Sequence, residues 1–149
     1  MLIDALLDLI RRVPTTYMRN AVLIPIPGSK RAIRKRGRDF IFSITKEVSL
    51  RTGIPMMTGL HINRRLIDQS RLSAQDRSRN ISGAFEFSGP VNDFKDSKNL
   101  RKEAEIFLVD DLVTTGATLL EAKRALNSAG FQVNRAITAC VAQTLNIGG

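Results

Sequence analysis

The chain has 149 residues, of which 43% are hydrophobic and 25% charged, a composition typical of one globular domain with a sizeable core. Its 23 lysines and arginines outnumber its 14 acids, and the formal charge of +9 favours anionic partners such as nucleic acid, anionic lipid or phosphorylated metabolites. The single cysteine, Cys140, and the single histidine, His61, exclude a disulfide framework and a structural zinc site.

The N-terminal part of the chain predicts a helix, a strand, a basic loop and a second helix. Apolar residues at helical spacing favour a short amphipathic helix over residues 2–12, before Pro14. The apolar run 21–26 predicts a buried strand, and the basic sequence GSKRAIRKRGR follows it. A second helix is expected to begin after Asp39, a suitable N-cap, and to end at Gly53.

The start of the chain does not have the pattern of a signal peptide. Asp4 and Asp8 interrupt its apolar stretch, and the positive charge follows that stretch instead of preceding it. No apolar run approaches the length of a membrane span. We therefore expect a cytoplasmic protein that makes no contact with a membrane.

The middle of the chain carries weaker signals. Residues 55–62 are a marginal strand candidate, and the arginine-rich segment 63–80 shows no sustained apolar periodicity, so we expect part of it to be mobile. Alternation over residues 84–87 predicts a short strand. The mostly polar residues 88–105 predict a loop with a short helix.

The C-terminal part of the chain returns to a strand and helix alternation. Residues 105–109 predict a buried strand, the sequence TTGAT opens a helix that Gly130 ends, and residues 131–143 predict another strand. Strands that alternate with helices indicate a mostly parallel sheet covered on both faces. We expect a single α/β domain over 1–149, with an N-terminal helix or hood in 1–20 and a core in 21–143.

The sequence IFLVDDLVTTGAT, residues 106–118, carries the clearest chemical signal. It joins an apolar strand to two acids and then to a turn rich in hydroxyls, and ligands collect at that end of the strands in open α/β sheets. Backbone N–H groups and a helix N-terminus would hold a phosphate there. Asp110 and Asp111 would accept hydrogen bonds from sugar hydroxyls or hold waters of a divalent cation. These features favour a ribose phosphate over the alternative, two acids that merely cap an exposed turn.

Nucleotide-binding loops of the better-known kinds are absent from the sequence. It contains neither G-x-x-x-x-G-K-[ST] nor G-x-G-x-x-G, which argues against a P-loop NTPase and a Rossmann dinucleotide site.

The motif IFLVDDLVTTGAT resembles the 5-phosphoribosyl-1-pyrophosphate (PRPP) signature of type I phosphoribosyltransferases. The segments IPIPGSKRAIRKRG and QSRLSAQDRSRNISGAF resemble one branch of that family, the ComF and amidophosphoribosyltransferase-like proteins. The resemblance covers about residues 20–143. It implies the type I phosphoribosyltransferase-like fold, a mostly parallel twisted sheet flanked by helices with a small hood region. The Cys-rich N-terminal zinc module of many relatives is not present in this sequence.

The resemblance assigns PRPP contacts to three groups of residues. Asp110 and Asp111 would contact the 2′ and 3′ hydroxyls of the ribose. The 5′-phosphate would be held by Thr114, Thr115, Gly116, Ala117 and Thr118. The pyrophosphate would be held by the loop residues Pro27, Gly28, Ser29 and Lys30, with Arg31 beside them.

The resemblance also implies where catalysis takes place. The activity would be transfer of a 5-phosphoribosyl group to a nitrogen acceptor, a nucleobase or an amine, with release of pyrophosphate. Mg²⁺ would act as the cofactor through PRPP, with bridging waters to Asp110 and Asp111 as one arrangement. Lys30, Arg31 and Arg71 are the candidate catalytic cations, since positive charge near the leaving group lowers the barrier. The other arginines expected to close over PRPP from the segment 64–80 are Arg65, Arg77 and Arg79.

Two departures from the family pattern bear on the acceptor and the mobile segment. Arg71 replaces a glycine in the Q-S-G-L-S segment. Purine-salvage members have an aspartate as base at the position of Thr114, so no built-in general base for a purine is expected here.

The basic clusters leave a second hypothesis open. Cations crowd into residues 30–38 and 64–79, enough to follow a nucleic-acid backbone, although few aromatic residues accompany them. ComF-like relatives are associated with competence and DNA uptake. The alternative is therefore a non-catalytic PRPP-binding accessory protein that binds single-stranded DNA through its basic loops, and a homodimer is left open under either hypothesis.

Overall fold

In a computed structural model of the chain, the residues described are 2–28, 33–35, 37, 39–63, 73–89, 103–111, 116–138 and 143–147. The helices are α1 (Leu2–Arg12), α2 (Thr15–Met18), α3 (Phe40–Thr52), α4 (Ala74–Ile81) and α5 (Ala117–Ser128). The strands are β1 (Ala21–Pro25), β2 (Leu60–Ile62), β3 (Phe85–Phe87), β4 (Glu105–Asp110), β5 (Val133–Thr138) and β6 (Gln143–Asn146).

Four strands form the central sheet in the order β1, β4, β5, β6. β4 lies between β1 and β5 and is parallel to both, whereas β6 is antiparallel to β5. β2 and β3 form a separate antiparallel pair. The carboxyl ends of β1, β4 and β5 consequently lie at one edge of the sheet, and this edge carries the candidate site.

Helices cover both faces of the central sheet, because successive strand residues point to opposite faces. Leu23, Phe107 and Val109 belong to a core cluster shared with α1 and α3. Ile24 and Leu108, on the opposite face, pack into a second cluster shared with α5 and the β2–β3 pair. This arrangement confirms the predicted α/β architecture, a mostly parallel sheet flanked by helices.

Both ends of α3 follow the sequence expectation closely. α3 begins where Asp39 accepts a hydrogen bond from the N–H of Phe42 at 3.2 Å, the N-cap interaction expected of this residue. The helix ends at Gly53, whose φ of 74° is a left-handed conformation that glycine adopts at little cost.

The sequence expectation does not include α2, and the structure differs from it in three further places. The arginine-rich segment contains α4, which periodicity did not predict because the helix is short and polar, and Ser73 caps it by accepting from Asp76 N–H. Of the weak strand candidate 55–62 only Leu60–Ile62 is a strand, with a single bridge from Met56 to Leu23. Residues 131–143 do not form one strand, since β5 ends at Thr138 and β6 begins at Gln143.

Among the described residues, no helix combines the length and the apolar character that crossing a bilayer requires.

Candidate functional site

Three chain segments meet where the parallel strands end. β1 continues into Ile26, whose N–H donates to the carbonyl of Val109 in β4 at 2.9 Å. The loop that starts at Pro27 therefore leaves the sheet directly beside the acids that end β4. On the other side of β4, Asp110 is in register with Thr138, the last residue of β5.

Asp110 is the buried acid of this edge. It belongs to β4 and is 8% exposed, and its Oδ1 accepts the N–H of Asp111 at 2.8 Å. Burial raises the pKa of the Asp110 carboxyl to about 7, an effect that the Asp111 N–H opposes and the nearby Asp111 carboxylate reinforces. Asp111 is partly exposed. The burial of Asp110 excludes the simpler interpretation of this residue as the cap of an exposed turn.

Gly116 forms the entry to α5. It is the N-cap residue of that helix with φ of 76°, and its carbonyl accepts the N–H of Leu120 at 3.0 Å. A Cβ at this position would have no atom within 4 Å, so the requirement for glycine is conformational and not steric. The helix has no acidic residue in its first turn, and its N-terminus supplies the partial positive charge that a phosphate needs.

The loop after β1 leads back towards the start of α3. A Cβ on Gly28 would lie 3.4 Å from Cγ1 of Ile33 and 3.8 Å from Oδ1 of Asp39, so this glycine lies near the residue that caps α3. Gly28, which follows the site edge of the sheet, thus lies near the N-terminus of α3.

The structure brings some of the predicted site residues to the same edge. These are Pro27, Gly28, Asp110, Asp111, Gly116, Ala117 and Thr118. Arg77 and Arg79 lie on α4, which packs against α5. Other predicted residues lie outside the described ranges, namely Ser29, Lys30, Arg31, Arg65, Arg71, Thr114 and Thr115.

Sequence reasoning missed two polar residues that the structure marks. Thr138 is fully buried at the end of β5, and an apolar run gave no signal for it. Glu121 is 5% exposed on α5 and binds Arg124 at 2.7 Å. An acid on the apolar face of a predicted helix, followed by an arginine at i+3, is a signal that would have identified this pair.

The donor set at the β4 end is compatible with Mg²⁺. Its carboxylate oxygens are the hard ligands that this ion prefers, and Mg²⁺ is usually held by one or two carboxylates together with waters and substrate phosphates. No group of three or more His, Cys, Asp or Glu side chains among the described residues forms a complete metal cage.

One protein family and several known proteins are similar to this chain over different lengths. A family model described as "Phosphoribosyl transferase domain" matches residues 32–146. Competence protein F of Haemophilus influenzae is 28% identical over 111 residues, which are 74% of this chain and 45% of that protein. Adenine phosphoribosyltransferase of Polynucleobacter asymbioticus is 47% identical over 47 residues, which are 32% of this chain and 27% of that protein. The chain spans less than half the length of both of these relatives.

Among solved structures, orotate phosphoribosyltransferase from Aeropyrum pernix matches with a TM-score of 0.48 and 16% sequence identity. The match covers 92% of this chain and 54% of that one. The family model, which spans most of the chain, confirms the predicted resemblance to type I phosphoribosyltransferases, and the match to Competence protein F agrees with the ComF-like branch. The chain belongs to the phosphoribosyl transferase domain family.

Proposed function

We propose that this protein binds PRPP and transfers its 5-phosphoribosyl group to a nitrogen acceptor with release of pyrophosphate. The observation that carries the proposal is the edge formed by Asp110, Asp111 and the α5 N-terminus at Gly116, in a chain that belongs to this family. A carboxylate pair and a helix N-terminus, separated by four residues of the chain, match the two halves of a ribose phosphate in charge and hydrogen bonding.

In this proposal the acids orient the sugar. Ionised carboxylates only accept hydrogen bonds, so Asp110 and Asp111 would accept from the 2′ and 3′ hydroxyls of ribose. The 5′-phosphate would be held by residues 114–118, through their backbone N–H groups and the α5 N-terminus. With both ends of the ribose phosphate held, the anomeric carbon is positioned for attack.

The reaction breaks the bond between the anomeric carbon and the diphosphate oxygen and forms a bond from that carbon to the acceptor nitrogen. The diphosphate leaves with the electron pair, and positive charge develops on the ribose ring. Cations of the loop after β1, Lys30 and Arg31, would stabilise the departing diphosphate, and Arg71 would close over it. Mg²⁺ bound with PRPP would neutralise phosphate charge, and water ligands of that ion would reach Asp110 and Asp111.

Calorimetric titration with PRPP and Mg²⁺ tests the proposal. We expect the wild-type protein to bind and the double variant Asp110→Asn with Asp111→Asn to lose at least roughly 100-fold in affinity, since neutral amide oxygens replace the charged acceptors of two hydrogen bonds. The matched control is Asp4→Asn with Asp8→Asn, which makes the same charge change on the exposed side of α1 and should bind as the wild type does. Failure of the wild type to bind would overturn the proposal.

Transfer itself is tested by a screen of nucleobases and amines for pyrophosphate release. We expect release with at least one acceptor. Binding of PRPP without release from any acceptor would favour a PRPP sensor over an enzyme.

A second candidate function, binding of single-stranded DNA in competence, is favoured by the similarity to Competence protein F and the charge of +9. Arg34 and Lys35 are exposed between β1 and α3, in the basic cluster expected to contact phosphates. Reversal of charge at Arg34, Lys35 and Arg36 should then abolish a salt-sensitive affinity for an oligonucleotide. The control reverses three exposed cations elsewhere, at Arg11, Arg12 and Lys46, and equal losses in both variants would reduce the effect to net charge.

A further inference from the structure

Thr138 presents a buried hydroxyl at the same edge of the sheet. The residue is 0% exposed. Among the buried side-chain oxygen and nitrogen atoms of the described residues, only Oγ1 of Thr138 has no hydrogen-bond partner. Buried hydroxyls are normally hydrogen-bonded, because they lose water on folding and must regain a partner inside the protein. The unbonded hydroxyl of Thr138 therefore lowers the stability of the ligand-free protein.

The position of Thr138 relates it to the site. β4 and β5 are parallel, and Thr138 is the register partner of Asp110. Paired residues of neighbouring strands point to the same face, and Leu108 and Ala136, two residues earlier on each strand, both lie in the core cluster under α5. The Thr138 hydroxyl and the Asp110 carboxylate are thus neighbours across the strand pair, at the end of the sheet that holds the proposed PRPP site.

We propose that Thr138 is a positioning residue of this site, whose hydroxyl donates a hydrogen bond to the Asp110 carboxylate when the ribose hydroxyls are bound. The inference rests on the proposed function, which supplies the ligand. Neighbouring strands lie about 4.8 Å apart and a threonine hydroxyl can occupy different staggered χ1 positions, so the proposed hydrogen bond requires a rotation about χ1 and no movement of the strands. A carboxylate accepts up to about four hydrogen bonds, which leaves capacity beside the N–H of Asp111.

The hydroxyl gives Thr138 a role that an apolar residue of the same shape could not have. A valine of the same shape would fill the same space without a buried hydroxyl, so threonine at this position costs stability in the free protein. In the bound state the same hydroxyl would orient the carboxylate towards the sugar and stabilise its charged form. Stability of the free protein and affinity for PRPP should therefore respond in opposite directions when the hydroxyl is removed.

Three variants test this inference by thermal unfolding without ligand and by calorimetric titration with PRPP and Mg²⁺. Thr138→Val should raise the Tm by about 3 °C and weaken PRPP binding roughly 10-fold. Thr138→Ser keeps the hydroxyl and should bind PRPP within about twofold of the wild type. The matched control is Thr45→Val, because Thr45 is equally buried but its Oγ1 donates to the Ile41 carbonyl at 2.7 Å. This control should lower the Tm and leave PRPP affinity unchanged.

Each other result overturns the inference. A lower Tm for Thr138→Val would mean that the hydroxyl is already bonded in the free protein. Unchanged PRPP affinity of Thr138→Val, or an equal loss in Thr138→Ser, would show that the hydroxyl does not support the site. If the wild-type protein itself fails to bind PRPP, the proposed function fails first and this inference fails with it, so the two failures are distinguished by the wild-type titration.

Discussion

Two acids of this protein are buried to nearly the same extent, but their surroundings shift their pKa values in opposite directions. Asp110 is 8% and Glu121 5% exposed. Burial raises the pKa of both, but for Glu121 this effect is outweighed by hydrogen bonds from Arg124 and from the N–H of Phe85, so its pKa is lowered. Asp110 has the N–H and carboxylate of Asp111 beside it, and its pKa is raised to about 7. The opposite pKa shifts of these two acids therefore come from the cation that pairs with Glu121 and not from a difference in burial.

The hydrogen-bond partners of Glu121 and Asp110 also indicate different roles for the two regions. Arg124 donates to both oxygens of Glu121, at 2.7 and 2.9 Å, and from Nη2 to the carbonyl of Phe85 at 2.8 Å. The pair therefore fastens α5 to β3 and leaves its polar groups satisfied. In the proposed function, Asp110, at the edge where α5 begins, accepts hydrogen bonds from a ligand. One region stabilises the fold, and the other carries the proposed chemistry.

The pH dependence of stability tests the raised pKa of Asp110. A carboxyl with a pKa of 3.8 unfolded and about 7 folded binds its proton more tightly in the folded state. Its contribution to stability is therefore complete below pH 3.8 and is lost as the pH rises through 7, a change of at most about 4 kcal/mol. Asp110→Asn should remove this fall in the free energy of unfolding, measured by urea denaturation between pH 4 and 8.

The control for this profile is Asp39→Asn, because Asp39 is an N-cap residue whose replacement keeps a capping side chain. The fall with rising pH should persist in this control. An Asp110→Asn protein that still loses stability over the same interval would assign the effect to another group.

Removal of the Arg124 cation tests the lowered pKa of Glu121. Arg124→Met should leave the Glu121 carboxylate buried without its charged partner and cost about 3 kcal/mol in the free energy of unfolding. Glu121 now contributes stability above its unfolded pKa of 4.5, which is lost as the pH falls through the lower folded value. In the variant the folded pKa should rise above the unfolded one, so the sign of this contribution reverses.

A matched control exists on α1, where Arg11 binds Asp8 at the same i,i+3 spacing but with side chains 75% and 59% exposed. Arg11→Met should change the free energy of unfolding by less than about 0.5 kcal/mol, because exposed pairs contribute little. Equal costs in the two variants would contradict the role assigned to burial of Glu121.

The fold was largely predictable from local sequence, and the exceptions have identifiable causes. Asp39 and Gly53 mark the ends of α3 because capping and the left-handed turn depend on adjacent residues. The apolar runs of β1 and β4 predict buried strands for the same reason. Helix α4 was missed because it is short, polar and begins at a Ser73 cap that lies outside any apolar pattern. The reversal of β6 against β5 is a tertiary pairing that periodicity cannot encode.

The candidate site was predictable only in part. Residues 106–118 are contiguous, so the sequence alone placed Asp110 close to the start of α5 along the chain. Thr138 was not predicted, because its relation to Asp110 exists only through the register of β4 with β5. The burial of Asp110, and with it the direction of its pKa, also depends on both flanking strands.

The smallest expected effect concerns the start of α5 and compares the site edge with a distant turn. Gly116 and Gly53 have φ of 76° and 74°, and a Cβ at either would have no atom within 4 Å. Gly116→Ala and Gly53→Ala should each cost about 1 kcal/mol in the free energy of unfolding, since the left-handed conformation is unfavourable for alanine. If the turn before α5 must keep this conformation to bind the 5′-phosphate, Gly116→Ala alone should weaken PRPP binding, roughly 5-fold by calorimetry. Equal PRPP affinity in the two variants would show that the conformation of Gly116 serves the helix and not the ligand.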